Sequence, residues 1–260
     1  MGKRKPLEME VRIQPDHPFF AIVEEAYRAF AVPPPSSLGV YDWGMDATVR
    51  QDLLTLPSAQ LPYHHIRDWY FAEVDPAGVP RSTWAYLLPR VLEILAAGQP
   101  VSEISLEISL SRFATGNPDN WSAAQWAVLD RFQRLYLQRA MARREASAIY
   151  RSDDRLDAVL CMFRLGDWPL DSLLEQLAKM PDAQLLERLW RDWCEDSPPG
   201  CEAVWITTFW PDEEREAIRA WYTSPALRAR MEALAMAEDT PAGLAEQALA
   251  VAEVIAANRA

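Results

Sequence analysis

Asp153, Asp154 and Asp157 stand at i, i+1 and i+4 in Asp153-Asp154-Arg155-Leu156-Asp157. Acids so spaced on a helix can share Mg²⁺ ions that in turn hold a diphosphate, hard oxygen ligands for a hard cation. No second acidic motif of that kind follows on a later helix, and acids at a helix start also complement the dipole. Capping is the preferred reading, and a Mg-dependent diphosphate enzyme is the alternative. His64 and His65 precede Asp68, but adjacent helical residues face different ways and supply one ligand per face. The third histidine, His17, is remote, whereas a metal site needs three or four convergent ligands. Cys194 and Cys201 flank an acidic loop that raises rather than lowers a thiol pKa. Cys161 sits among apolar residues and reads as core. The chain carries no Gly-x-Ser-x-Gly, GxGxxG or P-loop. These absences point away from an enzyme, and no cofactor is expected.

Two segments are strongly charged. Between residues 121 and 151, Arg131, Arg134, Arg139, Arg143, Arg144 and Arg151 face only Asp130 and Glu145, a net of +4. In a chain of net charge −12 this reads as a solvated helix face paired to acids rather than a phosphate binder. The opposite imbalance covers residues 191–216. There Asp192, Glu195, Asp196, Glu202, Asp212, Glu213, Glu214 and Glu216 oppose Arg191 and Arg215, a net of −6, among Trp193, Trp205, Phe209 and Trp210. Aromatic anchors rimmed by charge suit a protein-binding surface for a basic partner, since burial supplies energy and the field steers. Asp192, Trp193, Glu195, Asp196, Glu202, Trp205, Trp210, Asp212, Glu213 and Glu214 are the candidate binding residues. The competing reading makes the tryptophans core and the acids helix starts.

Those residues must be positioned by helices. The 260 residues include only 9 Gly against 20 Pro and 11 Trp, which disfavours hairpins that need Gly at positive φ. Hydrophobic content of 50% and charged content of 25% are ordinary globular usage. Three unevenly placed cysteines make no disulfide framework, so a reducing compartment is expected. Lys3, Arg4 and Lys5 lead into no apolar run, Gly2 lacks the serine or threonine of a myristoylation signal, and no stretch approaches 18 apolar residues. A soluble, cytoplasmic protein is the expectation, with no membrane partner. The negative balance makes nucleic acid an unfavourable one.

Apolar residues recur at i, i+3, i+4 and i+7 in Leu156, Val159, Leu160 and Phe163. Leu170, Leu173, Leu174 and Leu177 repeat the spacing, as do Leu186, Leu189, Trp190 and Trp193. Ser224-Pro225 and Thr240-Pro241 place a capping hydroxyl before a first-turn proline, and Pro169, Pro181 and Pro211 open helices too. Ser122 and Gln125 form a capping box for a helix over 123–147. Upstream, Phe20, Val23, Tyr27 and Phe30 share a face. Helices are also expected around 49–54 and 64–73, and Trp84, Leu87, Leu88, Val91 and Leu95 keep register through Pro89, predicting a bend there. Residues 101–110 alternate through Ile104, Leu106, Ile108 and Leu110 and read as the one strand candidate. Gly116-Asn117-Pro118-Asp119-Asn120 is the sharpest break.

The runs Tyr86-Leu87-Leu88-Pro89-Arg90-Val91-Leu92-Glu93-Ile94-Leu95, Trp126-Ala127-Val128-Leu129-Asp130-Arg131-Phe132 and Trp221-Tyr222-Thr223-Ser224-Pro225 resemble a group of bacterial all-helical proteins that brings no activity with it. The likeness extends from about Gly39 onward and implies one helical architecture without catalytic residues. Paired cysteines that some of these proteins carry near the position of residues 41–46 are absent here. The DDxxD segment is similar to that of prenyl diphosphate and terpenoid synthases, which are also all-helical. The fold expected is therefore all-α, an irregular bundle or α-solenoid-like array, HEAT-like in shape by analogy only. It comprises a tail over 1–14, a helical lobe over 15–116 and a second over 121–260, the lobes expected to pack as one domain. The function expected is a non-enzymatic interaction module, of adaptor or immunity type, with a basic protein partner.

Overall fold

The computed structural model describes residues 11–41, 43–142, 155–195, 197 and 202–259. They are all-α, with no strand among the described residues beyond one isolated antiparallel bridge, Val40 to Val74. The chain forms two compact units, one of Met1–Tyr136 with Met162–Trp168 and one of Leu137–Cys161 with Pro169–Ala260. The turn over 116–120 falls inside the first of them.

The first unit contains α1 (Phe20–Ala29), α2 (Ala47–Leu53), α3 (Tyr63–Phe71), α4 (Arg81–Ala96) and most of α5 (Ala123–Ala142). Its centre is α4, buried from Thr83 through Ala96 and continuous through Pro89. A helix covered on every side should be apolar all round. Here Arg90 and Glu93 break the rule and satisfy each other. Arg90 Nη1 lies 2.6 Å from Glu93 Oε2 and 2.8 Å from the Val11 carbonyl, and its Nε donates to Leu61 O at 3.0 Å. Glu93 Oε2 also accepts from Arg12 Nη1 at 2.8 Å and from the Tyr27 hydroxyl at 2.7 Å. One carboxylate thus fastens the chain before α1, α1 itself and the central helix.

The α5 capping box forms as read, with Ser122 N donating to Gln125 Oε1 and Gln125 N donating to Ser122 Oγ. That helix is described to Ala142, so the expected extension to 147 lies outside the described residues.

Residues 101–110 are the main departure from the sequence reading. They form bends and a 3-10 turn over Glu107–Leu110 instead of a strand. The alternation did not separate two faces: Ser105, Glu107 and Ser109 are buried along with Leu106 and Leu110, while Ile104 is exposed. A lone strand would leave its backbone groups unpaired. The Ser105 hydroxyl bonds Glu107, and the Ser109 carbonyl accepts from the buried Tyr70 hydroxyl.

The second unit carries most of α6 (Leu156–Leu165), then α7 (Leu170–Ala178), α8 (Asp182–Trp193), α9 (Asp212–Tyr222), α10 (Pro225–Met236) and α11 (Ala242–Ala257). The last two pack on each other and on α8. Pro169, Pro181 and Pro211 occupy the N-cap positions of α7, α8 and α9. Ser224 caps α10 by accepting from Leu227 N at 3.1 Å. Thr240 behaves differently from expectation. Its hydroxyl donates back to Leu234 O at 2.7 Å, satisfying an end carbonyl of α10, and Pro241 takes the N-cap of α11.

Candidate functional site

The acidic, tryptophan-rich segment divides between core and surface. On α8, Arg188 and Asp192 lie one turn apart and pair at 2.8 Å, with side chains 0% and 7% exposed. Asp192 Oδ2 also accepts from Leu156 N at 2.8 Å, and Arg188 Nη1 donates to Ala140 O at 2.9 Å. Asp157 is buried, and its Oδ2 accepts from Thr207 N at 2.7 Å and from Trp210 Nε1 at 3.0 Å. Trp193 is buried edge-on to Tyr222, ring centroids 5.3 Å apart. Burial, then the charges of Asp157 and Asp192, hold the Tyr222 phenol well above its ordinary range. Arg155 stacks over the half-buried Trp205 at 4.5 Å, and burial draws its guanidinium below the usual range.

Asp192, Trp193 and Trp210 are therefore core groups, correcting their assignment to a binding surface. Their polar atoms tie α6, α8 and the approach to α9 together. Asp157 is turned into the same core, with one oxygen engaged by a backbone amide and an indole. Asp153 and Asp154 lie outside the described residues, as do Asp196 and Cys201. What remains at the surface is Glu195, Asp212 and Glu213, with Glu202 and Glu214 partly covered and Phe209 exposed. Asp212–Glu214 form the first turn of α9, where acids suit the dipole, and Asp212 pairs with Arg215 at 3.0 Å.

Among the described residues no group of three or more His, Cys, Asp or Glu side chains is placed to hold a metal ion. His65 is buried with Nε2 3.8 Å from Asp52, its ring edge-on to His64. Cys161 is buried, and burial with the nearby Glu202 pushes the Cys194 thiol up to about 11. On the arginine helix, Arg131 pairs with Glu25 and Arg134 with Asp130. A shallow cleft in the second unit is lined by Met141, Trp190, Arg188, Arg191, Glu187 and Glu195. Its mixed charges select no ion of either sign.

The exposed aromatic groups lie elsewhere. Trp43 is 85% exposed and Phe71 82%, with Tyr41 at 41% and Val74 at 37%. All four fall within three residues of the Val40–Val74 bridge, so each is about 10 Å or less along the chain from it. Single exposed apolar residues are ordinary, whereas large contiguous apolar patches are uncommon on monomeric proteins.

Local structure explains why they are outside. On α3 the buried side is His65, Ile66, Trp69 and Tyr70, and Phe71 falls past it at the helix end. Trp43 sits in the turn before Asp46 caps α2 by accepting from Thr48 N at 2.8 Å. Asp46, Asp68 and Glu73, each within three residues of Trp43 or Phe71 along the chain, are exposed, and Asp75 is half-buried. Of the neighbouring cations, Arg50 is exposed and Arg67 pairs with Glu103. Arg112 is held over the Trp69 and Tyr70 rings while it donates to the Tyr70 and Ala72 carbonyls. The sequence reading missed Trp43 and Phe71. The available signal was that Phe71 stands off the apolar stripe and Trp43 belongs to no stripe.

Scans against protein-family models, curated proteins and solved structures each gave no match. No described helix is long and apolar enough to cross a membrane.

Proposed function

We propose that this chain is a non-enzymatic protein-interaction module that binds a basic partner through the surface around Tyr41, Trp43, Phe71 and Val74. The observation that carries the reading is the near-complete exposure of Trp43 and Phe71, with the exposed acids Asp46, Asp68 and Glu73 within three residues of them along the chain. Large aromatic side chains supply most of the apolar area a partner can cover, and the acids steer a cation-bearing one. Of the DDxxD acids, the described one, Asp157, is turned into the core, its Oδ2 taken by the Thr207 amide and the Trp210 indole.

The test is quantitative co-purification from the native cell with wild type and with a Trp43→Ser, Phe71→Ser double variant. A basic protein retained by wild type at low salt, released by salt and absent from the variant is the expected result. An unchanged set of retained proteins on the variant would reject this surface.

A further inference from the structure

Resting on that reading, we infer that the occupant of the Trp43–Phe71 surface is an extended segment of the basic partner, which pairs with the chain edge at residues 73–75. Tyr41 N donates to Glu73 O at 2.8 Å and Asp75 N to Gly39 O at 3.1 Å. Bonds on either side make Val40 and Val74 a non-hydrogen-bonded antiparallel pair, whose own N–H and C=O groups point away from each other's strand. Val40 is half-buried and Val74 exposed. Among the described residues no hydrogen bond is made to the Val74 N–H or C=O. An open edge of this kind is a template for one more strand, with main-chain bonds giving affinity and flanking side chains giving selectivity.

The edge is held ready. Gly39 has φ +65°, and a Cβ there would come within 2.6 Å of Pro80 Cδ, so the turn into the bridge is fixed. Trp69 Nε1 holds the Leu38 carbonyl at 3.0 Å, Thr83 Oγ1 holds that of Ser37 at 2.7 Å, and Arg112 Nη2 holds that of Ala72 at 3.0 Å. Little ordering is left for binding to supply.

Alternative occupants fit less well. A helix laid on the patch would leave the Val74 amide and carbonyl covered without partners, which an extended chain would satisfy. A second copy would bring Asp46, Asp68 and Glu73 against themselves in a chain already at −12. A segment alternating apolar and basic residues meets Phe71 and Val74 with one set and the acids with the other.

The probe is a fluorescein-labelled eight-residue peptide alternating Lys and Val, titrated against the full chain by fluorescence anisotropy. Saturable, salt-sensitive binding is expected. N-methylation of one alternating set of peptide amides should weaken it at least tenfold and the other set by less than twofold, because only alternate amides face the edge. Val74→Pro should weaken it similarly. If that variant misfolds, the methylated peptides still decide.

Loss on Trp43→Ser, Phe71→Ser together with equal effects of the two methylated sets would reject strand pairing while keeping the patch. No loss on the double variant would reject the patch itself. No saturable binding up to millimolar peptide, or a dimer in sedimentation that Trp43→Ser disperses, would also overturn the extended occupant.

Discussion

Asp157 and Trp210, 53 positions apart in the chain, are joined by a 3.0 Å hydrogen bond from the indole Nε1 to Oδ2 inside the second unit. The same oxygen takes the Thr207 amide at 2.7 Å, so a single carboxylate anchors the segment leading into α9 to the start of α6. Its role in this fold is that of a fastener.

Asp157→Ala strands two buried donors and should destabilise the chain by about 2–4 kcal/mol, more than Asp157→Asn, which keeps an acceptor. Urea unfolding monitored by circular dichroism measures both variants. A loss below about 0.5 kcal/mol for Asp157→Ala would contradict the anchoring role.

In the first unit, Glu93→Ala leaves the fully buried Arg90 without its counter-charge and should cost about 3–5 kcal/mol. Tyr27→Phe, which removes one hydrogen bond, should cost about 1 kcal/mol.

These bonds also set a pH dependence. Burial, then the Glu93 charge, hold the Tyr27 phenol well above its ordinary value, and burial does the same for Tyr70 and Tyr86. Each stays protonated in the folded chain, whereas an unfolded tyrosine ionises near pH ~10. The unfolded state then binds fewer protons, so stability is intact below that pH and falls as pH rises through it. Denaturant midpoints from pH 8 to 11 should decline in wild type and less steeply in Tyr27→Phe. A rising midpoint would refute the assignment.

Cys194 gives a kinetic counterpart. With its thiol pushed up to about 11 by burial and Glu202, alkylation should be slow at pH 8 and should accelerate toward pH 11. Iodoacetamide kinetics on a chain carrying Cys161→Ser and Cys201→Ser isolates it. A midpoint below pH 9 would contradict the cause given.

Helices were legible in the sequence wherever a stripe and a cap coincided. Leu186, Leu189 and Trp193 are buried on α8 as their spacing implied, and Ser122 with Gln125 closed the box at α5. Residues 101–110 misled because alternation constrains one segment alone, whereas a strand needs a partner edge, and this segment pairs with none among the described residues. Nor could sequence rank the tryptophans. Trp84 is buried on α4 with its indole on Thr115 Oγ1 at 2.8 Å, whereas Trp43 is exposed in a turn. What separates them is position relative to a packed stripe, together with a buried hydroxyl 31 residues away. The same holds for Asp192 and Glu195, near neighbours of which one is locked to Arg188 and the other faces water.

Site-specific photocrosslinking in the native cell tests the central claim most directly, with a benzophenone amino acid replacing Phe71 or, as a control in the second unit, the exposed Met236. A covalent adduct to a basic protein from position 71 and none from position 236 is the predicted result. No adduct at 71, or the same adduct from both positions, would contradict it.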